Sequence, residues 1–351
     1  MGKSGEKIRA AIAGATGYTG AELIRILSRH PSVEITHIYS RQHAGVPISK
    51  VYPAFTGVVE RSCEKMDEEA AGRDADVVFL ALPHKLPMGV APAILGAGAK
   101  VVDLSADFRF SDAAVYEAHY EPHLAPELLP RAVYGLTELY RDRVAGADLL
   151  GNPGCYPTCS LLALVPFLRK GLVEPDGIVI DAKSGVSGAG RGTSLTTHYC
   201  EVTEGFSAYK VASHRHTPEI EQIVSREAGK KVALSFVPHL TPMSRGMLAT
   251  CYVKATAPMS TEDALAVLAD CYQGSPFVKV LPKGILPQTR HVRGTNCAHL
   301  SAVAEKSTGR LILVSVIDNL GKGASGQAVQ NMNVMFGLPE TRGLDATPYP
   351  V

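Results

Sequence analysis

The sequence has little of what marks several other classes of protein. Its 35 basic and 34 acidic residues nearly cancel, and without a basic run we expect no binding to nucleic acid. The longest apolar stretches, such as residues 77–82 and 161–168, are too short to cross a membrane. The seven cysteines form no Cys-x-x-Cys pair, and no secretion signal precedes them. This pattern indicates reduced thiols and a cytoplasmic protein.

What is present has the proportions of a globular protein. The chain has 351 residues, of which 46% are apolar and 20% are charged. A chain of this length favours two domains over one.

The N-terminal part predicts a dinucleotide-binding unit. Residues 8–13 have the pattern of a buried strand, an amphipathic helix follows up to Pro31, and residues 33–39 form a second strand pattern. Between the first strand and the helix lies a glycine-rich loop made of Gly14, Thr16, Gly17, Tyr18, Thr19 and Gly20 with Ala15. Glycines at this point let a pyrophosphate approach the helix N-terminus. An ordinary tight turn is the alternative, but the position directly after the first strand favours a cofactor.

The end of the second strand distinguishes between the two nicotinamide cofactors. NAD enzymes usually carry an acidic residue there, which binds the ribose hydroxyls. This chain has Ser40 and Arg41 instead. A hydroxyl beside an arginine suits a 2′-phosphate, so the sequence predicts NADP(H), with a solvated surface arginine as the alternative.

Two further strands end in loops that carry polar residues. Residues 76–82 lead into Pro83 and His84, and residues 101–104 lead into Ser105 and Arg109. Ligands of open parallel sheets bind at the carboxyl ends of the strands, so both loops are candidates for the site. Arg109 can bind a phosphate or carboxylate, or else pair with Asp107. His84 is either close to the cofactor or an ordinary surface residue.

The most informative stretch is residues 152–158, Asn-Pro-Gly-Cys-Tyr-Pro-Thr. A strand pattern ends before it, and a long apolar helix pattern covers residues 160–172. This places Cys155 at a helix N-terminus, with Pro157 at the first helical position. The peptide dipoles there stabilise a thiolate. The sequence therefore predicts that Cys155 is a nucleophile.

A histidine pair is the candidate for the base. His214 and His216 precede a helix, with Thr217 expected as its N-cap and Pro218 as its first residue. A helix N-terminus keeps a nearby imidazole neutral and able to accept a proton. A zinc pair is the alternative, but no third ligand follows at a suitable spacing, so we predict no metal site.

The rest of the chain predicts an α+β domain and a returning helix. Strand patterns recur with one clear helix, residues 261–272, among them, which indicates a mixed sheet. The Gly/Ser-rich loop 184–191 can bind an anion through its peptide groups or act as a flap. A second glycine-rich loop, residues 318–326, opens a final helix that either folds back beside the cofactor or merely packs.

Taken in order, these motifs resemble the N-acetyl-gamma-glutamyl-phosphate reductase family. The resemblance covers nearly the whole chain, from about Ile8 to the tail at 337–341. It is carried by residues 14–20, 105–109, 152–158, 187–191, 214–219 and 319–331. The cysteine motif is highly specific, and the glycine-rich motifs are much less so.

The resemblance implies a fold and roles for residues. The fold is α/β: an N-terminal Rossmann NADP-binding domain (1–154 with 319–351) and an α+β catalytic domain (155–318) of the glyceraldehyde-phosphate and aspartate-semialdehyde dehydrogenase type. Cys155 is then the nucleophile, and the histidine pair supplies the base, with His214 favoured. The expected cofactor contacts include Ser187, Gly188, Asn319 and Gly323. Apart from the resemblance, the residues themselves suggest Ser105, Arg109, Arg191 and Tyr209 as substrate contacts.

The resemblance also implies a reaction. The substrate is the acyl phosphate N-acetyl-L-glutamyl 5-phosphate, which NADPH reduces to the 5-semialdehyde through a cysteine thioester, in arginine biosynthesis. The family implies a homodimer or homotetramer. Two alternatives stay open: a reductase of carrier-protein-linked aminoadipyl phosphate in lysine biosynthesis, and a catalytically silent NADPH-binding regulator.

Overall fold

The structure is a computed structural model that describes residues 7–348. It divides into two compact units. Residues 7–153 and 324–345 form the first unit, and residues 154–323 with 346–348 belong to the second. No helix within the described residues is long and apolar enough to cross a membrane.

The first unit contains a sheet of six parallel strands. They are β1 (Ile8–Ala13), β2 (Val33–Tyr39), β3 (Val77–Leu80), β4 (Lys100–Asp103), β5 (Val133–Tyr134) and β6 (Leu149–Gly151). Their order across the sheet is β2-β1-β3-β4-β6-β5. Strand β1 lies between β2 and β3, so the chain continues to one side of β1 with β2 and to the opposite side with β3. The crevice at such a switch point, outside the carboxyl ends of β1 and β3, is where open parallel sheets bind ligands.

Seven helices accompany this sheet. They are α1 (Tyr18–Leu27), α2 (Ile48–Val51), α3 (Glu68–Asp74), α4 (Leu86–Gly96), α5 (Ala113–Glu117), α6 (Thr137–Ala145) and the last helix of the chain, α11 (Gly326–Met335). All ten residues of α11 are buried, although several are amides. Asn331 accepts a hydrogen bond from the Thr137 hydroxyl and donates to the Gly135 carbonyl and the Asn152 side chain. These bonds satisfy the buried amide.

The second unit contains a mixed sheet of seven strands. They are β7 (Ile178–Gly185), β8 (Ser207–Ala208), β9 (Leu234–Thr241), β10 (Met247–Lys254), β11 (Val278–Val280), β12 (Ala298–Glu305) and β13 (Arg310–Ile317). The order is β11-β12-β13-β10-β7-β9-β8, with β7/β9 and β11/β12 parallel and the other pairs antiparallel. The mixed sheet expected from the sequence is confirmed.

Four helices belong to this unit: α7 (Cys155–Arg169), α8 (Tyr199–Val202), α9 (His216–Ala228) and α10 (Thr261–Cys271). Helix α7 packs on β10 and β13, so the side chains of β10 alternate. Met247, Ala249 and Cys251 are fully buried, whereas Leu248 and Tyr252, on the opposite face, stay half-exposed. One face of this sheet therefore carries the core of the unit.

Helix α7 contains a proline in its interior. Pro166 has no N–H, so the carbonyl of Leu162, one turn earlier, lacks its usual helical donor. The hydroxyl of Tyr272, just beyond α10, donates to that carbonyl at 2.6 Å. A side chain from another helix thus replaces the missing backbone hydrogen bond.

Two helices begin earlier than the sequence predicts. Helix α7 starts at Cys155 itself, so Pro157 is its third residue and not its first. Helix α9 starts at His216, after Arg215, so the expected capping role of Thr217 is wrong. In both cases the proline lies within the first turn, where a backbone N–H has no helical partner anyway and its loss costs little.

Candidate active site

Cys155 is the first residue of α7, and its surroundings keep that helix end open. The N-cap is Gly154, which provides no side chain to cap the helix. The N–H of Gly154 donates at 2.9 Å to the carboxylate of Glu219, a fully buried residue in the first turn of α9. The beginnings of the two helices are therefore tied together, and the positive end of α7 lies at the thiol.

Gly323 lies directly against the cysteine. A Cβ added at Gly323 would come within 2.8 Å of the Cβ of Cys155, closer than real Cβ contacts. The N–H of Gly323 donates to the Asp318 carbonyl at 2.9 Å, which closes the turn after β13. Only glycine at this position leaves room for the cysteine side chain.

The two histidines lie in an aromatic cluster. The ring centroids of His214 and His216 are 4.9 Å apart. Tyr156, the residue after the cysteine, contacts both rings edge-on, and Tyr209 and Phe236 contact His214 in the same way. The structure thus brings together three residues that the sequence singled out, namely both histidines and Tyr209.

The protonation of His214 follows from its contacts. Burial lowers its pKa to about 4, and the charges of Lys210 and Arg215 act in the same direction. Its Nδ1 accepts a hydrogen bond of 3.1 Å from the backbone N–H of His216. A neutral imidazole that accepts at Nδ1 carries its proton on Nε2. His214 is therefore a hydrogen-bond donor at Nε2.

Two tyrosines next to this pair stay protonated. The hydroxyl of Tyr209 donates to that of Tyr156 at 3.1 Å, and Tyr156 donates to the carbonyl of His239 at 3.2 Å. Burial raises the pKa of Tyr209 to about 12, and the Tyr156 hydrogen bond opposes this while the nearby Cys155 adds to it. Both hydroxyls are thus neutral, and each donates its proton within this cluster.

Asn319 lies next to Ser187 and Gly188, which the sequence also predicts as cofactor contacts. The side-chain N–H of Asn319 donates to the Ser187 hydroxyl at 2.9 Å. A Cβ on Gly188 would meet Asn319 Nδ2 at 3.7 Å, which is ordinary contact. Arg191 lies further along the same loop and is exposed. The contacts of all these residues with cofactor or substrate stay predictions.

In the first unit, the three glycines of the β1–α1 loop have different structural roles. Gly14 has φ +81°, and a Cβ there would come within 2.1 Å of the Ala81 carbonyl oxygen. A Cβ on Gly20 would come within 2.2 Å of the Gly14 carbonyl oxygen, whereas one on Gly17 would meet nothing closer than 3.5 Å. Gly14 and Gly20 thus shape the loop, and Gly17 leaves the uncapped start of α1 open. This open helix end fits a dinucleotide pyrophosphate.

The residues expected to select the cofactor lie at the end of β2. The hydroxyls of Thr16 and Ser40 are 3.0 Å apart, which joins the glycine-rich loop to the strand end. Arg41 is exposed and forms no ion pair with any residue in 7–348. Tyr18 and Thr19 are the first residues of α1. A free guanidinium beside a hydroxyl fits a 2′-phosphate.

The loops after β3 and β4 are bonded to each other. Nδ1 of His84 accepts from the backbone N–H of Ala106 at 3.0 Å, and the carboxylate of Asp107 accepts from the N–H of Lys85 at 2.9 Å. Pro83 is exposed beside them. The two loops thus form one surface at the carboxyl edge of the sheet.

Ser105 and Arg109 are buried within that surface. Ser105 donates to Asp103, whose pKa is raised to about 7 by burial and by the Asp107 charge. Arg109 donates to the backbone carbonyls of Asn152 and Leu104 at 2.7 and 2.8 Å. Both side chains hold the backbone of the loops, and their contact with substrate stays a prediction.

Several residues of the site had no assigned role at the level of sequence. Glu219 and Tyr156 stand inside the singled-out motifs but had no assigned function. Asp318 and Arg245 form a buried ion pair, with N–O 3.0 Å, that no motif indicates. The partners of Tyr156, Glu219 and Asp318 are 53, 65 and 73 residues away in sequence, so local pattern carries no signal for them. Among residues 7–348, no group of three or more His, Cys, Asp or Glu residues is placed to hold a metal ion.

Comparison with known proteins places both units in one group. Residues 9–147 match the family model described as semialdehyde dehydrogenase, NAD binding domain, and residues 155–319 match the semialdehyde dehydrogenase, dimerisation domain. The chain is 54% identical over 341 residues to the N-acetyl-gamma-glutamyl-phosphate reductase of Desulforapulum autotrophicum, covering 97% of this chain and 99% of that one. It is 55% identical over 338 residues to the reductase of Desulforudis audaxviator, covering 96% and 98%.

Solved structures of low sequence identity share the fold. Aspartate semialdehyde dehydrogenase II from Vibrio cholerae superposes with a TM-score of 0.72 at 17% identity, covering 95% of this chain and 99% of that one. The Candida albicans aspartate semialdehyde dehydrogenase, solved with NADP, gives 0.71 at 16% identity, covering 94% and 99%. The fold class expected from the sequence, a Rossmann domain and an α+β domain of this dehydrogenase type, is confirmed.

Proposed function

The chain belongs to the N-acetyl-gamma-glutamyl-phosphate reductase family, and on that basis we propose that it reduces N-acetyl-L-glutamyl 5-phosphate to N-acetyl-L-glutamate 5-semialdehyde. The reaction consumes NADPH, releases phosphate and belongs to arginine biosynthesis. The observation that carries the proposal is the position of Cys155 at the open N-terminus of α7, where the next residue, Tyr156, contacts a half-buried histidine pair. A thiol in that field is suited to form an acyl intermediate.

In the first half of the reaction the enzyme is acylated. His216 takes the proton from Cys155, and the thiolate attacks the carbonyl carbon of the acyl phosphate. The C–O bond to phosphate breaks, a thioester forms at Sγ, and His216 returns its proton to the departing phosphate. The positive end of α7 stabilises the thiolate before the attack.

In the second half the thioester is reduced. NADPH, held by the β1–α1 loop and by Ser40 and Arg41, would supply the hydride that the thioester carbonyl carbon takes up. Collapse of the resulting hemithioacetal restores the C=O bond, breaks the C–S bond and releases Cys155 as a thiolate, which regains a proton from solvent. The Nε2–H of His214 is suited to donate a hydrogen bond to the oxyanion of the tetrahedral stages.

We assign the base to His216 because of the tautomer of His214. The sequence favoured His214, but its Nδ1 already accepts a hydrogen bond from the backbone, and its Nε2 carries the proton. A general base accepts a proton at an unprotonated ring nitrogen, and in His214 the remaining nitrogen, Nε2, is already protonated. The two histidines thus have complementary roles, base and donor.

The cofactor contacts are assigned to the first unit. Gly17 and the start of α1 hold the pyrophosphate, and Ser40 with Arg41 holds the 2′-phosphate. We expect Arg41→Ala to weaken NADPH binding about 10-fold to 100-fold, the worth of a charge-assisted hydrogen bond, with little change for NADH. Equal losses for both cofactors would show that Arg41 does not select NADP.

The assembly proposed is a homodimer or homotetramer of cytoplasmic chains. The matched dimerisation domain supports association through the second unit. We place the contact on the half-exposed sheet face, which includes Val179, Leu248, Tyr252 and Val314. Light scattering of Leu248→Asp, compared with the unaltered chain, tests this face. All seven cysteines are free thiols, as a reducing compartment requires.

The reverse reaction is the direct test of function. Purified protein is given N-acetyl-L-glutamate 5-semialdehyde, phosphate and NADP⁺, and the absorbance of the reduced cofactor is followed. We expect phosphate-dependent turnover that is lost in Cys155→Ser and kept in Cys200→Ser, which alters an exposed cysteine in α8. Folded protein that binds NADPH without this turnover would overturn the proposal, and activity on an aminoadipyl substrate would redirect it.

A further inference from the structure

The turn after β13 is built around one carboxylate. Asp318 is fully buried, and its Oδ1 accepts from the backbone N–H groups of Leu320 and Gly321, both at 2.9 Å. Its Oδ2 accepts from the N–H of Gly294 at 2.6 Å. Three backbone donors from two segments of the chain therefore converge on this one side chain.

Arg245 supplies the matching positive charge. Its Nε and Nη2 atoms donate to the two oxygens of Asp318 at 3.0 Å each. The arginine side chain is 20% exposed and the carboxylate 0%. A buried carboxylate is strongly disfavoured without such a partner, so loss of the guanidinium leaves a charge that must be hydrated or moved. The turn and the β9–β10 loop are thus locked together.

The Asp318–Gly323 turn contacts Cys155 through Gly323. The backbone carbonyl of Asp318 accepts a hydrogen bond of 2.9 Å from the N–H of Gly323, and Gly323 lies against the Cβ of Cys155. The neighbouring Asn319 accepts from the N–H of Gly246, next to Arg245, at 2.8 Å and donates to Ser187. One ion pair therefore connects the turn that contacts Cys155 with the β9–β10 loop, and Asn319 links both to Ser187.

We propose that Asp318 and Arg245 are positioning residues for Cys155. They set the distance between the Asp318–Gly323 turn, the Ser187 loop and the start of α7, and they act on the reaction only through these segments. This inference deepens the proposed function, since it names what holds its nucleophile. The chemistry itself stays with the cysteine and the histidines.

The geometry separates this role from plain stabilisation. The groups that the pair holds are peptides of the loop at Gly294 and of the turn that contacts Cys155 through Gly323. Strands β10 and β13 are already joined by their own ladder from Met247–Ile317 to Lys254–Arg310. Loss of the pair leaves this ladder in place and frees the loops. A displacement of about 1 Å in a reacting group can cost about 100-fold in rate.

Alkylation of the thiol tests the proposal without any substrate. The rate at which iodoacetamide labels Cys155 is measured by mass spectrometry of its peptide across pH 5 to pH 9, together with kcat and KM. The variants are Arg245→Gln and Arg245→Lys. The matched control is Arg169→Gln, which removes an ion pair with the mostly buried Glu227 at the other end of α7.

We expect Arg245→Gln to lower kcat about 100-fold with a smaller change in KM, and to change the pH profile of labelling. Arg245→Lys, which keeps the charge, should recover part of both. Arg169→Gln should lower the melting temperature and leave kcat and labelling unaltered.

Two results would overturn the proposal. One is a lower melting temperature in Arg245→Gln with wild-type kcat and labelling profile, because the pair would then be purely structural. The other is an equal effect in Arg169→Gln. If Arg245→Gln fails to fold, a lower melting temperature with wild-type kcat and labelling in Arg245→Lys counts against it. Because labelling needs no substrate, this outcome is independent of whether the proposed reaction is right.

Discussion

Two glycine-rich loops of similar composition are shaped by different sets of forces. In the loop 14–20 of the first unit, the backbone at Gly14 and Gly20 lies so close to carbonyl oxygens that a Cβ there would come within 2.1 and 2.2 Å of them. The turn 318–323 of the second unit folds because a buried carboxylate collects backbone N–H groups and an arginine. Both contain a glycine whose Cβ would come within 2.1 Å of a carbonyl oxygen, Gly14 in the first and Gly321 in the second, but only the second adds a buried ion pair. A count of glycines therefore does not reveal what holds a loop.

The largest effect expected from this contrast is that of Gly14→Ala. The new Cβ meets the Ala81 carbonyl at 2.1 Å in a backbone with φ +81°, so overlap and strain add. We expect the free energy of unfolding of the first unit to fall by about 4 kcal/mol or more, as measured by urea titration. A loss below about 1 kcal/mol would show that the loop yields easily and that steric exclusion does not define it.

The second prediction concerns charge in the site of the second unit. The pKa of His214 is about 4 in the folded protein and 6.5 in the reference state, so between these values the unfolded chain binds more protons. Stability from neutral His214 is therefore complete above pH 6.5 and is lost as the pH falls toward 4. The full loss corresponds to about 3 kcal/mol.

Urea titrations of the wild type and His214→Asn at pH 7.5, 6 and 4.5 measure this contribution. We expect the stability difference between them to shrink as the pH falls, because only the wild type pays for protonating the imidazole. A difference that is constant across this range would mean that His214 is not held neutral by the fold.

The third prediction concerns a steric contact introduced into the Asp318–Gly323 turn. Gly323→Ala introduces this contact at 2.8 Å from the Cys155 Cβ. We expect a loss of about 1–3 kcal/mol in stability, from overpacking, and a fall in kcat of about 100-fold. Gly96→Ala in α4 is the control, since its Cβ meets no atom within 4 Å. Equal kcat in both variants would show that the space at Gly323 is irrelevant to the thiol.

The smallest effect on stability is expected for Gly17→Ala. Its Cβ meets only the Gly14 carbonyl at 3.5 Å, and alanine is a poorer N-cap than glycine, so the cost is within about 1 kcal/mol. Binding of NADPH, measured by titration calorimetry, should weaken much more, because the methyl group occupies the space left for the pyrophosphate. Unchanged affinity would place the cofactor away from α1.

The sequence predicted features that depend on neighbours along the chain. The strand, loop and helix from Ile8 to Leu27 were correct because alternation, glycine spacing and amphipathic period are local signals. Cys155 at a helix N-terminus was correct for the same reason, although the helix begins earlier than expected. The two-residue strands β5 and β8 carry too short a pattern to be recognised.

What the sequence did not predict depends on contacts between distant segments. The ties from Gly154 to Glu219 and from Arg245 to Asp318 join residues 65 and 73 positions apart. The tautomer of His214 depends on one backbone N–H and on the aromatic side chains that bury it. Residue types at these positions are compatible with many roles, and only their three-dimensional partners select one.

The proline in α7 has a consequence for the order in which substitutions are tolerated in this chain. The hydroxyl of Tyr272 completes the helix only because residue 166 has no N–H to offer Leu162. Substitution of Tyr272 alone leaves a buried carbonyl bare, while a non-proline residue at 166 makes the hydroxyl dispensable. The two positions therefore form a coupled pair, in which the permissive order of mutation is Pro166 first and Tyr272 second.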